Sequence, residues 1–364
     1  MDELLAAVAR FVHAEVRPAA AAHDRDDSYP HELVQQMQTM GLFGLTIDER
    51  YGGLGLSPVA YAQIVEELAS GWASVPGLLN SHLVVAYLIS AHGSDAQREH
   101  WLPLMATGAV RGALLLTEPH AGSDLKAIRS LVAGLKLSGQ KTMITNGRHA
   151  SLYAVLARRD DAIDLYLLPT ERPGIAVGRE IEKMGFRGLE MVEVFFEQVP
   201  IEEQDLLGQR GHGISTVLDA LELGRIAIAA SAVGVARAAF DEALTYARCR
   251  VAFGRPIAQL QAVQLHLSEM YTRISAARAL VYEAANAKQR GRADLESGVA
   301  KYYASETALF VATTAMRVLG GYGYLKEYPI ERYFRDAPIF IVGEGTNEVL
   351  RTEIARRLVD RLAQ

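Results

Sequence analysis

Cysteine is nearly absent from this sequence, since Cys249 is the only one among 364 residues. A lone cysteine excludes an internal disulfide and a cysteine-rich zinc site, and we expect no bound metal. Proteins without disulfides are typical of reducing compartments. We therefore expect a cytoplasmic protein.

Long apolar runs and a large excess of one charge are also absent. The longest strongly apolar run, residues 226–236, is far shorter than the ~20 residues that cross a bilayer, and residues 1–18 lack the basic region and cleavage site of a secretory signal. The 37 basic and 43 acidic residues give a net charge of −6 and are mixed along the chain. These features argue against a membrane or a nucleic acid as the main partner.

The chain does have ample material for a core, because 50% of its residues are apolar. At about 150 residues per domain, its length predicts two or three domains. Apolar residues recur at three- and four-residue spacing up to about residue 108, which predicts helices, and Ser57-Pro58 is typical of a helix start. The alanine patch 19–22 should also be helical.

Short segments between turn formers follow, and the alternation within 192–197 predicts a half-buried sheet. We expect this sheet to be antiparallel, because no helical segment long enough for parallel crossovers intervenes. Helical periodicity then returns, and it predicts helices at 215–250, 256–290, 295–319 and 347–363, with a short link at 327–346. The predicted fold is α+β and mostly α: an N-terminal helical domain (1–111), a middle antiparallel β domain (112–213) and a C-terminal four-helix bundle (214–364).

Two segments of the β region carry candidate binding groups. LLLTEPHAGSDL (114–125) places Thr117 and Ser123 in a turn whose backbone N–H groups could bind an anion or a ring carbonyl. The same residues could equally form an ordinary polar turn without a ligand. In KTMITNG (141–147), Thr145 could donate to a flat heterocycle with Met143 against its face, or the segment could be an Asn-Gly hairpin turn.

Two further segments lie in the predicted bundle. RVAFGRPIAQLQAVQ (250–264) joins two helices, with Phe253 at the turn. RVLGGYGYLKEYPIERYFRDA (317–337) strings glycines among aromatic residues, and glycines at this place commonly just end a helix.

The fifth segment, IFIVGEGTNEVLR (339–351), places Glu344 between two glycines just before a predicted helix. Glycine lets the backbone approach a ligand closely, so this carboxylate could meet a substrate. It could equally complement the dipole of the helix that follows, as could Glu348.

Together, these five motifs in this order resemble the acyl-CoA dehydrogenase family. Residues 42–57 (LFGLTIDERYGGLGLS) and 182–214 are similar to further family segments, so the resemblance covers nearly the whole chain. It implies an FAD-dependent enzyme that oxidises the α,β carbon–carbon bond of a saturated acyl-CoA to the trans-2-enoyl thioester. Electrons would pass to an electron-transfer flavoprotein.

By this resemblance Glu344 is the base that abstracts the α proton, while the flavin takes the β hydride. Some members carry the base on the first C-terminal helix, where this chain has Gly224, and this contrast favours Glu344. We predict that burial raises the pKa of Glu344 once substrate is bound. The backbone N–H of Glu344 and a flavin ribityl hydroxyl would polarise the thioester carbonyl.

The resemblance also implies which residues bind ligands. For FAD they are Leu114, Leu116, Thr117, Ser123, Met143, Thr145 and Thr346, joined from a neighbouring subunit by Arg250, Phe253, Gln261, Arg317, Gly320 and Gly321. For the thioester they are Ser123, Glu222, Arg225 and Gly345, although Arg225 could instead be an ion partner of Glu222. A cofactor bound across subunits implies a homotetramer, or at least a dimer.

Three departures from the family pattern stand out. Met143 replaces the usual tryptophan, so a flexible thioether takes the place of a flat wall beside the flavin. Arg317 replaces a glutamine near the pyrophosphate. The stretch 130–140 is several residues shorter than in the family pattern, so we expect a shortened hairpin there.

Three alternatives stay open at this point. The thioester could be carried by acyl-carrier protein instead of CoA. The fold could also serve a flavin monooxygenase or oxidase, which Glu344 disfavours. A non-catalytic scaffold is the third possibility, and Met143 is its only support.

Overall fold

A computed structural model describes residues 1–362, with side chains through residue 360. Helices form both ends of the chain and a single large sheet lies between them, which confirms the predicted fold class. The helices of the first region are α1 (Asp2–Phe11), α2 (Arg17–Asp26), α3 (His31–Thr39), α4 (Pro58–Gly71), α5 (Ser74–His92) and α6 (Asp95–Ala106).

Two predictions for the first region, the helix start at Ser57-Pro58 and the helical alanine patch, agree with the structure. Ser57 caps α4 by accepting a hydrogen bond from the Ala60 N–H at 3.3 Å, and Pro58 takes the first helical position. The alanine patch 19–22 lies inside α2, as predicted. A π-helical turn, Val12–Val16, makes α1 and α2 one nearly continuous element.

The middle region forms one seven-stranded sheet. Its strands are β1 (Gly112–Leu115), β2 (Leu131–Ala133), β3 (Lys136–Thr145), β4 (Leu152–Arg159), β5 (Ala162–Pro169), β6 (Ile175–Glu180) and β7 (Met191–Pro200). The order across the sheet is β1-β4-β2-β3-β7-β6, and β5 pairs with β4. A tight turn joins β2 to β3, with both Gly134 and Leu135 in the left-handed region, and it accounts for the shortness of 130–140.

The prediction of a purely antiparallel sheet is wrong, because the sheet is mixed. β1 pairs with β4 in parallel from Gly112↔Leu152 to Leu115↔Val155, and β2 meets β4 in parallel at Leu131↔Arg158. A parallel pair needs a long crossover, which is usually a helix. Here residues 116–151 make the crossover with β2 and β3 themselves, so the absence of a helix did not exclude parallel pairing.

The last region contains the four predicted helices and a fifth that the prediction missed. They are α7 (Gly213–Cys249), α8 (Gln261–Gln289), α9 (Asp294–Leu319), α10 (Ile330–Val342) and α11 (Asn347–Leu362), with a hairpin of β8 (Val251–Ala252) and β9 (Arg255–Pro256) between α7 and α8. The helix predicted from 256 begins only at Gln261, and residue 363, the predicted end of the last helix, lies outside the described residues.

The missed helix α10 occupies the stretch interpreted as a link. The helix forms even though Pro338 lies inside it. Ile330, Tyr333, Ala337 and Phe340 are buried on one face of α10, and this packing outweighs the cost of the internal proline.

Two helices, α5 and α7, are long and apolar enough to cross a membrane by length and composition alone. In the most apolar part of each helix, 67% of the residues of α5 and 78% of those of α7 are buried inside the protein. Both are therefore core helices, and they pack against each other.

Candidate active site

Glu344 lies in the short loop between α10 and α11, with a glycine on either side. Its φ is +54° and that of Gly345 is +90°, so two consecutive residues adopt the left-handed region. This conformation is uncommon for a residue with a side chain, and it persists where the surroundings hold it. The loop is thus shaped to aim one particular carboxylate.

The carboxylate points into the protein between α5 and α7. The Asn80 side-chain N–H donates a hydrogen bond to Oε1 at 3.0 Å, while Oε2 is buried with no hydrogen-bond partner. A Cβ added to Gly224 would lie 2.8 Å from Oε2. Gly224 therefore leaves room on α7 for the Glu344 carboxylate.

Burial raises the pKa of Glu344 above its ordinary value. The charge of Arg225, the hydrogen bond from Asn80 and the charge of Lys301 oppose this shift without cancelling it. This shift arises from the protein's own residues, and the rise expected with bound substrate stays a prediction. A base works best when its pKa lies near the working pH, so the shift suits proton abstraction.

Both sides of the predicted site are attached to one turn of α5. Asn80 on this turn holds Glu344, whereas Asn146 at the end of β3 donates through its side chain to the Leu78 carbonyl at 3.2 Å and to Ser81 Oγ at 3.3 Å. The Asn146 Oδ1 atom is buried and unpartnered. This turn of α5 therefore sets the relative position of Glu344 and the end of β3.

The predicted flavin segments of the sheet are held together by a buried lysine. Thr142 N–H donates to the Thr117 carbonyl at 2.9 Å, and the fully buried Lys141 ammonium donates to the Leu116 carbonyl at 3.0 Å and to Glu118 at 2.8 Å. Burial alone would raise the pKa of Glu118, but hydrogen bonds, above all from Lys141, lower it to about 2. These bonds hold the backbone of Leu116 and Thr117, and Leu114 is held by the pairing of β1 with β4.

Met143 is turned out of the sheet by a bulge. The register between β3 and β7 shifts between Lys141 and Ile144, and Met143 has a φ of +56°. Its side chain is 60% exposed, beside the half-buried Thr145. Bulges commonly aim a side chain next to a functional site.

A second group of predicted cofactor residues lies at the other end of the bundle. Arg250, Gly320 and Gly321 line one open depression of about 370 Å³, and the Arg250 guanidinium lies 5.6 Å from the ring centre of Tyr322. A Cβ on either glycine would meet nothing within 4 Å. The depression therefore has a cation, open backbone and an aromatic ring, which suit a dinucleotide diphosphate.

The rest of this group surrounds the β8–β9 hairpin and the nearby helix ends. Phe253 lies at the hairpin tip and is 90% exposed, Gln261 begins α8, and Arg317 is exposed in the last turn of α9. Within residues 1–360, no hydrogen bond or ion pair joins this group to the predicted flavin residues of the sheet. Thr346 instead belongs to the Glu344 loop, where its hydroxyl accepts from the Val349 N–H at 3.3 Å.

The predicted thioester contacts fall into different surroundings. Ser123 and Gly345 are exposed, and one Arg225 guanidinium nitrogen lies 3.9 Å from a Cβ built on Gly345. Glu222 is 1% exposed and accepts hydrogen bonds from Lys288 at 3.0 Å and Arg292 at 2.7 Å. Among residues 1–360, the ion pairs of Glu222 are with Lys288 and Arg292 and not with Arg225. A substrate contact of Glu222 stays a prediction.

Sequence reasoning missed Asn80, Lys141 and Lys301. Asn80 and Lys301 are polar or charged residues within apolar stretches, which is the only sequence signal they carry, whereas Lys141 lies among polar residues and carries no such signal. Their partners are distant in sequence, as with Asn80 and Glu344, which are 264 positions apart.

Three family profiles match the chain. They are described as the acyl-CoA dehydrogenase N-terminal domain, middle domain and C-terminal domain, and they match residues 1–109, 113–199 and 211–359. An acyl-CoA dehydrogenase of Bacillus subtilis is 38% identical over 96% of this chain and 95% of its own.

Solved structures agree with these matches. Butyryl-CoA dehydrogenase from Megasphaera elsdenii superposes with a TM-score of 0.95 at 34% identity, covering 98% of this chain and 97% of its own. A prolyl acyl carrier protein oxidase superposes with a TM-score of 0.94 at 28% identity, covering 98% of each chain.

Proposed function

The chain belongs to the acyl-CoA dehydrogenase family and is an FAD-dependent oxidoreductase that dehydrogenates acyl-CoA thioesters, and we propose that Glu344 is its catalytic base. The observation that carries this proposal is the environment of the Glu344 carboxylate. The Glu344 backbone lies in the left-handed region, Oε2 is buried without a hydrogen-bond partner, and the pKa of the carboxyl group is raised.

The reaction forms a double bond between Cα and Cβ of the acyl group. Glu344 takes the α proton at a carboxyl oxygen and becomes a neutral acid. When bound, FAD supplies the acceptor for the β hydrogen, which leaves with its electron pair. The Glu344 N–H donates to the thioester oxygen and stabilises the negative charge that develops as the proton leaves.

We propose that FAD lies between the sheet and a second copy of the chain. Two observations support the fit: the buried Asn146 Oδ1 lacks a partner at the end of β3, and Arg250 faces an open depression beside two glycines. The sheet side would use Leu114, Leu116, Thr117, Ser123, Met143 and Thr145 with Thr346, and the second copy would supply Arg250, Phe253, Gln261, Arg317, Gly320 and Gly321.

For the thioester, we propose that Ser123, Glu222, Arg225 and Gly345 contact the substrate, with Glu222 held by its bonds to Lys288 and Arg292. We further propose a homotetramer or dimer, a cytoplasmic location, a role in fatty acid metabolism and an electron-transfer flavoprotein as acceptor. Domain boundaries after residues 111 and 213 complete the proposal.

The first substrate to test is butyryl-CoA, because a butyryl-CoA dehydrogenase is among the similar structures. The likeness to a prolyl acyl carrier protein oxidase supports a second candidate, the same oxidation of an acyl chain carried by acyl-carrier protein. The same butyryl group on each carrier separates the two candidates.

The experiment adds butyryl-CoA or butyryl-acyl-carrier protein to the purified yellow holoenzyme without oxygen. Bleaching of the flavin by butyryl-CoA is the expected result, and faster bleaching by the carrier-protein thioester would favour the second candidate. If neither thioester bleaches the flavin while a reductase with NADH supports oxygen consumption, the enzyme is an oxygen-using flavoprotein and the proposal fails.

A further inference from the structure

Lys301 lies in the middle of α9 and is completely buried. Its ammonium donates to the Ile341 carbonyl at 3.1 Å, to the Gly345 carbonyl at 2.7 Å and to Asn347 Oδ1 at 3.0 Å. A lysine ammonium has three donors, so every one of them is used. All three acceptors belong to the segment that carries Glu344.

These acceptors lie on both sides of Glu344. Ile341 is in the last turn of α10, where the helix itself leaves carbonyls without partners, and Gly345 directly follows the base. Asn347 begins α11, and Ser305 and Glu306 of α9 accept from its side-chain amide at 2.9 and 2.8 Å. One buried cation thus joins the end of α10, the loop and the start of α11.

The loop needs such support, because Glu344 adopts a backbone conformation that costs a side-chain-bearing residue free energy. The charges that face Lys301 are Glu344 from the loop, Arg225 from α7, Glu348 from α11 and Glu306 from its own helix. Burial lowers the pKa of Lys301 to about 8, although the Glu344 carboxylate opposes this shift. The lysine therefore carries its charge at neutral pH, close to the base.

We propose that Lys301 is a positioning residue for the reaction: its ammonium fixes the backbone on both sides of Glu344 and so aims the carboxylate at the substrate. This inference rests on the proposed role of Glu344. Because the ammonium also favours the charged form of Glu344, it keeps the base ionised at lower pH than burial alone would allow.

The test compares Lys301→Met, which removes both charge and donors, with Lys301→Gln, which removes the charge but keeps an amide donor. Lys183→Met is the matched control, since the Lys183 side chain is 8% exposed and lies outside the site. For each holoenzyme, the rate of anaerobic flavin reduction by butyryl-CoA is measured against pH. Hydrogen exchange of the 341–347 backbone gives a readout that does not depend on turnover.

We expect Lys301→Met to reduce the rate about 10²-fold, as for other displacements of a catalytic group, and Lys301→Gln to reduce it less. In both variants the acidic limb of the pH profile should move to higher pH by about one unit, because the positive charge that stabilises the ionised base is lost. Exchange of residues 341–347 should speed up most in the methionine variant. Lys183→Met should keep the wild-type profile.

If Lys301 has only a structural role, its replacement will lower the melting temperature without moving the acidic limb of the pH profile. That result would overturn the inference. If the methionine variant fails to fold, the glutamine variant decides, since its pH profile alone isolates the charge. Glu344→Gln is run alongside: if it stays active, the proposed base is wrong, whereas if only the Lys301 profiles match wild type, the proposed base stands and this inference fails.

Discussion

Gly224 and Glu344 share one volume, because a methyl group at position 224 would lie 2.8 Å from Glu344 Oε2. We predict that Gly224→Ala pushes the carboxylate aside and slows flavin reduction by butyryl-CoA at least tenfold, by the roughly 10²-fold scale of such displacements. Alanine is the better helix former by about 1 kcal/mol, so thermal melting should not fall.

The control for this variant is Gly298→Ala, where the nearest atom to the added Cβ is 3.6 Å away. Both variants place alanine within a helix, but only the first meets Glu344. A Gly224→Ala enzyme with wild-type rate would mean that the carboxylate moves freely, contrary to the aimed geometry.

Asn80 gives a prediction about pH. Its amide stabilises the ionised form of Glu344, so removing or replacing it with a carboxylate raises the pKa of the base. Because the ionised form is the active one, the acidic limb of the rate profile should move to higher pH, by about one unit for Asn80→Ala and further for Asn80→Asp. Stopped-flow flavin reduction between pH 5 and 9 checks this, and a profile unchanged in Asn80→Asp would contradict it.

The identity of the candidate base could be read from the sequence, because a carboxylate between two glycines is a local pattern. Its partners could not be read in this way. Asn80 and Lys301 approach Glu344 only through the packing of α5 and α9 against the loop, and no short motif encodes such distant contacts.

At the scale of elements, Asp336 joins α10 to the loop between β6 and β7. This carboxylate is fully buried and accepts from the Phe186 N–H at 2.7 Å, while the Phe186 and Phe340 rings lie 5.5 Å apart. Burial raises the pKa of Asp336 to about 7. The folded state therefore binds the proton more tightly than the unfolded chain does.

This shift predicts how stability depends on pH. Between the unfolded pKa of about 3.9 and the folded value, ionisation opposes folding, so the contribution of Asp336 to stability declines as pH rises from about 4 to 7. Asp336→Asn keeps an acceptor for Phe186 and removes the titration. Its melting temperature should exceed that of wild type at pH 8 but not at pH 4.

The control is Asp26→Asn, whose side chain is 65% exposed. It should change neither melting temperature. A gain for Asp336→Asn that is equal at both pH values would show that the effect is one of packing.

Elements with strong periodicity were predictable, whereas those that depend on tertiary contacts were not. The long helices α7 and α9 follow from their apolar spacing, and α4 from its cap. By contrast, α10 contains an internal proline and forms because one face is buried, and the parallel pairing of β1 with β4 depends on a long crossover. The local sequence pattern encodes neither the buried face of α10 nor the pairing of β1 with β4.

At the scale of the whole molecule, Phe253 bears on the proposed assembly. A phenylalanine that is 90% exposed at a hairpin tip is costly in water. In the proposed assembly, this hairpin would cover the cofactor of another copy.

We predict that light scattering after size-exclusion chromatography shows a dimer or tetramer, and that Phe253→Ser lowers both the mass and the FAD content. Leu104→Ser is the control, because Leu104 is exposed but belongs to the first helical region. A Phe253→Ser protein that keeps full mass and FAD would remove the hairpin from the interface.

The role of Glu344 as the catalytic base is tested most directly by Glu344→Gln. The variant keeps the size and shape of the side chain, and Glu348→Gln changes an exposed carboxylate four positions along the chain as its control. Anaerobic stopped-flow measurement of flavin bleaching by butyryl-CoA should give about a 10³-fold slower rate for Glu344→Gln, with FAD content and melting temperature kept, and a near-wild-type rate for Glu348→Gln. Near-wild-type bleaching in Glu344→Gln would contradict the account.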